Sequence, residues 1–142
     1  MQVESAGSSF LKRALLANGT FSLVSGTVLI VAAKPLAELF GLFIPGVLIG
    51  VGASLLVYAA ALFRNALSET VCQTEAFLAV VLDAAWVVGS GVLIFAGLLS
   101  KAGNWTVAII ADIVLFFAVL QFYGIRRMRQ ESRLSPGPAR QE

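Results

Sequence analysis

The 25 residues 39–63, LFGLFIPGVLIGVGASLLVYAAALF, carry no charged side chain. An α-helix rises ~1.5 Å per residue, so about 20 residues cross a ~30 Å hydrocarbon core. The run from Leu55 to Phe63 is continuously apolar or aromatic rather than alternating. A barrel strand would need alternation over about ten residues. A helix satisfies its own backbone groups in lipid, so this stretch reads as a membrane-spanning helix.

Three more windows of the same kind flank it. Twenty uncharged residues separate Arg13 from Lys34. Between Glu75 and Lys101 the only charge is Asp83, and between Lys101 and Arg126 the only one is Asp112. The expectation is an all-α fold, a four-transmembrane-helix bundle with helices over about 10–33, 44–63, 75–99 and 105–129. Residues 1–9 are expected to be a flexible N-terminus and 130–142 a disordered tail. The segment from Pro35 to Phe43 is too short to span and carries Glu38, which predicts an interfacial turn of helix. Pro45 fits a first helical turn, where its missing N–H costs nothing.

Composition points the same way. Of 142 residues, 58% are apolar and 13% charged, with mean hydropathy +0.90. A soluble domain carries about 25% charged residues, so there is too little charge here to cover a soluble surface. Lys12-Arg13 and Val31-Ala32-Ala33 imitate parts of a signal peptide. The length of the first apolar stretch and Pro35 beside the supposed cut favour a retained helix.

Charge sets the expected orientation. Lys12, Arg13, Arg64, Arg126, Arg127, Arg129, Arg133 and Arg140 fall on one side of a four-span chain, and only Lys34 and Lys101 on the other. Basic flanks stay cytoplasmic, which predicts both termini inside and Trp105 at the outer interface. The sequence pI near 9.0 follows from this bias, and no nucleic-acid partner is expected.

A shift of 65 residues lays the first half on the second. Asn18 falls on Asp83, Phe21 on Trp86, Ser25 on Ser90, Gly26 on Gly91, Tyr58 on Tyr123 and Arg64 on Arg129. Because the rare polar residues align, an internal 2+2 duplication into parallel repeats is a candidate, against chance similarity of apolar segments. Small residues four apart occur at Gly46-Gly50-Ser54, Ser22-Gly26 and Ala85-Gly89. Such pairs let helix backbones approach closely in lipid, and are the candidate helix-packing positions.

The chain contains no histidine and one cysteine, Cys72. His-ligated haem and most transition-metal sites are therefore excluded, and so is dithiol exchange within one chain. No catalytic residues, metal ligands or cofactor are expected, and the chain reads as a non-enzyme.

The intramembrane polar residues remain. Asp112 lies eleven residues from Lys101 and fourteen from Arg126, close to the expected midplane. A carboxylate at that depth costs ~2.5–3.5 kcal/mol on insertion scales. It shares a helix face with Trp105, Ile109, Phe116, Val119 and Tyr123. Asp83 lies ~12 Å inside the basic boundary. Asn18, Tyr58, Gln121 and Tyr123 lie at similar depths and could join Asp83 in one hydrogen-bonded layer. Asp112, Asp83, Asn18, Gln121, Tyr58 and Tyr123 are thus candidates for a proton relay, or for polar contacts that hold helices together.

The run from Leu16 to Gly26, LANGTFSLVSG, and Leu82-Asp83-Ala84-Ala85-Trp86 in the third span resemble a widespread group of small bacterial four-helix membrane proteins. The resemblance covers about residues 10–128. It implies a bacterial inner-membrane location and brings no activity with it.

Three functions follow as expectations. The first is a non-catalytic accessory, assembly or scaffold protein, with membrane lipids and a homo-oligomer or another membrane protein as partners. The second is a small proton-coupled transporter acting as an oligomer through its carboxylates. The third binds a lipid or quinone in aromatic grooves near Trp86 and Phe116-Phe117.

Overall fold

A computed structural model describes residues 6–134, and all its regular elements are helices. There are five: α1 (Ala6–Val31), α2 (Ala33–Phe40), α3 (Gly46–Leu67), α4 (Gln73–Phe95) and α5 (Lys101–Leu134). α1, α3, α4 and α5 are each long and apolar enough to cross a membrane. The short α2 lies where an interfacial turn is expected.

Local chemistry sets the boundaries. Pro35 has no N–H to offer the Val31 carbonyl, so the chain turns at Ala32 and restarts as α2. Gly41 ends α2 in the left-handed region at φ 74°. There Leu42 N–H donates to the Ala37 carbonyl (2.8 Å) and Gly41 N–H to that of Glu38 (3.2 Å), the paired bonds of a Schellman cap. Pro45 precedes the first residue of α3. Ser100 caps α5 by accepting the Gly103 N–H on its hydroxyl at 3.0 Å. The loop before α4 is fixed by Asn65, whose side chain accepts from Cys72 N–H (2.8 Å) and donates to the Cys72 carbonyl (3.1 Å).

Three helices are longer than expected; α3 runs on to Leu67 and α5 starts at Lys101. Residues 6–9 belong to α1 and residues 130–134 to α5, where the sequence predicts loose termini; residues 1–5 and 135–142 lie outside the described residues. The two ends hold each other. The Glu131 carboxylate accepts from Gly7 N–H at 3.0 and 3.2 Å, so α5 supplies an acidic cap to the N-terminus of α1. α4 is shorter than expected, because Gly97 leaves the helix at φ 65°.

α1 packs most extensively on α3, α4 on α5, and α1 also on α5. α3 and α4 touch little. The order around the bundle is α3–α1–α5–α4, with a gap between the first and last. The chain ends of α1 and α5, the end of α3 and the start of α4 share one end of the bundle, called here the basic end. At the other end, Ser100 N–H donates to the Phe40 carbonyl (2.8 Å), which ties α2 to the start of α5.

The tightest approach is between α1 and α3. A Cβ on Gly52 would stand 2.7 Å from the Gly26 carbonyl oxygen, and one on Gly26 would stand 2.8 Å from that of Gly52. Ser22 is buried on the same side of α1. The other candidate packing residues are not at seams within the chain. Gly50, Ser54, Ala85 and Gly89 are exposed, and a Cβ on Gly50 or Gly89 would meet nothing within 4 Å. Gly46 would meet only the Ile44 side chain. Four-residue spacing marks a small face but not the direction it points, so the working pair, Gly26 with Gly52, was only half visible.

Candidate functional site

Four buried or half-buried polar side chains, one from each long helix, meet at one point. Asp83 of α4 is the centre and is only 3% exposed. Its Oδ2 accepts from Asn18 Nδ2 of α1 at 2.7 Å and from Gln121 Nε2 of α5 at 3.2 Å. Its Oδ1 accepts from the Tyr58 hydroxyl of α3 at 2.8 Å. That hydroxyl also lies 3.2 Å from the Ala79 carbonyl and 3.4 Å from Asn18 Nδ2. Ser22 lies one turn beyond, its hydroxyl 3.5 Å from Asn18 Oδ1.

A carboxylate accepts about four hydrogen bonds, and three neutral donors fill most of that capacity. Among the described residues, the donors to this carboxylate are all neutral. The ion pair of Arg64 with Glu75, at 2.9 Å, is solvent-exposed at the basic end. Gln121 Oε1 is buried without a partner among the described residues, so acceptors outnumber donors here. Among the described residues no group of three His, Cys, Asp or Glu side chains gathers as metal ligands would.

Tyr123 and Asp112 stand apart from the clasp. Residues two apart on a helix point nearly opposite ways. With Gln121 turned inward, Tyr123 faces out, its ring edge-on to Phe10 at 5.6 Å. Asp112 lies on the outward side of α5 beside exposed Trp105, Ile109, Phe116 and Val119, while Ala111 and Val114 take the buried side. Depth along the helix was readable from the sequence, but rotation about its axis was not.

The clasp forms one end of a cleft of about 550 Å³. One wall is α3, from Val51 through Ser54 and Leu55 to Tyr58 and Ala61. The other is α4, with Leu82, Asp83 and Trp86. The floor is Phe21, Ser22 and Ser25 of α1 with Ile110 and Val114 of α5. Because α3 and α4 part beyond Tyr58 and Asp83, the open side lies between them. The lining is almost wholly apolar apart from the clasp, three serines and the Trp86 indole. Phe21 and Ser25 as cleft residues were missed in the sequence, although both belong to the pairs that a 65-residue shift aligns.

Compared with known proteins, the chain matches no family model, no curated protein and no solved structure.

Proposed function

We propose that the protein is a non-catalytic, multi-pass protein of a bacterial inner membrane that takes a lipid-soluble molecule into the cleft between α3 and α4. One observation carries this reading: a cavity of about 550 Å³, walled by apolar side chains and open between two spanning helices, ends on a polar clasp. Ligand sites are mostly apolar cavities with a few convergent polar groups, and this volume falls in their ordinary range. An amphiphile would lay its chain along Val51, Leu55 and Phe21 and bring its polar end to Tyr58 and Asp83.

The test is purification in a mild detergent followed by extraction and mass spectrometry of retained small molecules. The parent protein should carry a stoichiometric amphiphile, and Ser54→Phe, which fills the cleft, should lose it. Equal and negligible retention in both would end this reading.

Both termini are assigned to the cytoplasmic side, supported by the eight-to-two division of basic residues. Cys72, exposed in the loop before α4, reports on it. A membrane-impermeant maleimide should label Cys72 in inside-out vesicles and spare it in intact cells. The reverse pattern would invert the topology.

A second reading is supported by the outward faces. Ala85 and Gly89 on α4, and Gly46 and Gly50 on α3, leave small surfaces that a second copy or another membrane protein could pack against as on a scaffold. Cysteines at these positions should then cross-link with helical periodicity. A proton-coupled transporter would have to work through Asp83 alone at the cleft, since Asp112 faces away from it.

A further inference from the structure

The geometry points to a specific ligand class for this cleft: a lipophilic cation, with its charge on Asp83 and its apolar groups against Phe21, Leu55 and Trp86. The inference rests on the proposed reading of the cleft and goes further by fixing the sign of the ligand's charge.

Three observations support it. First, Asp83 lines the cleft and is held by three neutral donors, all placed on its oxygens. Among the described residues no lysine or arginine lines the cleft, so none competes with a cation for the carboxylate. Second, acceptor capacity is left over. Oδ1 takes one donor only, so that oxygen is the less shielded of the two. Third, the walls next to the carboxylate present the rings of Trp86, Phe21 and Tyr58. Ring faces attract a cation, and most strongly where water is excluded. A compact, strongly hydrated ion gains little from apolar walls. A cation whose charge is shielded by hydrocarbon or aryl groups matches both the walls and the carboxylate. A lipophilic anion of the same shape would meet the same walls but be repelled by Asp83.

The last contrast gives the experiment. Tetraphenylphosphonium and tetraphenylborate are nearly identical in shape and opposite in charge. Binding is measured in detergent micelles, where no bilayer potential sorts the two ions. Trp105→Phe leaves Trp86 as the sole tryptophan, and its fluorescence reports occupancy. The phosphonium should quench Trp86 saturably, with affinity about tenfold or more above that of the borate. Asp83→Asn should bring the two ions to parity. Should that variant fail to fold, Ser54→Phe, which leaves the clasp untouched, should abolish the phosphonium signal instead.

If both ions bind the parent protein equally, the charge preference is overturned, while the lipid-soluble ligand reading stands. If neither binds, this inference falls, and retained-amphiphile analysis of the same preparation decides whether the broader reading falls with it. Phosphonium binding unchanged in both Asp83→Asn and Ser54→Phe would place the ion elsewhere and overturn the assignment.

Discussion

Two seams of the bundle occupy corresponding places along the chain, yet one is closed and the other is open. α1 lies along α5, and α4 would lie along α3 in the same way if positions 65 apart behaved alike. The closed seam depends on side chains that its counterpart lacks. Gly7 lets α1 approach the Met128 backbone, where an added Cβ would stand 2.9 Å from its nitrogen, and Gly124 rests on Leu11. The positions 65 away are Cys72 and Ala59. Farther along, Phe117 reaches Phe21 with ring centroids 5.7 Å apart. The matching positions hold Trp86 and Gly52, and Gly52 has no ring to offer because it is pressed against Gly26. The same topology gives a filled groove where glycines and a second ring are present, and a cavity where they are absent. The cleft is thus a property of a few side chains rather than of the helix arrangement.

The largest effect is expected at a pair of glycines 65 apart, which sets the tight α1–α3 seam against the matching face of α4. Gly26→Leu forces α1 off α3 and should cost about 3 kcal/mol of unfolding free energy in detergent titrations. Gly91→Leu, where a Cβ would meet nothing within 4 Å, should change it by less than about 0.5 kcal/mol. Equal losses would mean that α4 packs against something else in the working protein.

Next in size is the aromatic filling. Phe117→Ala should cost about 2 kcal/mol, since the ring is only partly buried. Trp86→Ala, already at the mouth of a cavity, should cost less than about 1 kcal/mol. A reversed order would show that the cleft is filled in solution.

Apart from the exposed Arg64–Glu75 pair at the basic end, the clasp is what ties the open seam. Asp83→Leu leaves the Asn18 and Gln121 amides without their acceptor and should cost about 1–2 kcal/mol, a range set by the modest worth of hydrogen bonds between membrane helices. The smallest effect should come from Asp112→Leu. It removes an outward-facing carboxylate and should leave unfolding within about 0.5 kcal/mol of the parent. A loss as large as that of Asp83→Leu would mean that Asp112 has a partner outside the chain.

Much of the architecture could be read before any coordinates, because bilayer thickness is a ruler and charges mark it off. Asn18, Tyr58, Asp83 and Gln121 were placed at one depth by counting from the basic boundary. What counting cannot supply is azimuth. Asp112 and Tyr123 were grouped with the others by depth or chemistry, and both point outward. A soluble helix reveals its inner face by alternating polar and apolar sides; here both sides are apolar and that signal vanishes. Gly52 was overlooked for the same reason, since its partner Gly26 lies on another helix and no spacing within α3 marks it. The extra turns of α1 and α5 depend on a contact between Gly7 and Glu131, 124 residues apart.

The two halves are pinned at one end by Ser100 on the Phe40 carbonyl and partway along the bundle by the four-residue knot around Asp83. The slit between those pins opens sideways, between α3 and α4, toward where lipid would lie if these helices cross a membrane. Whatever it holds would arrive from the surrounding hydrocarbon. Its occupancy would then follow the guest's partition coefficient and its abundance in the leaflet rather than its level in solution, so compounds almost insoluble in water could still saturate it.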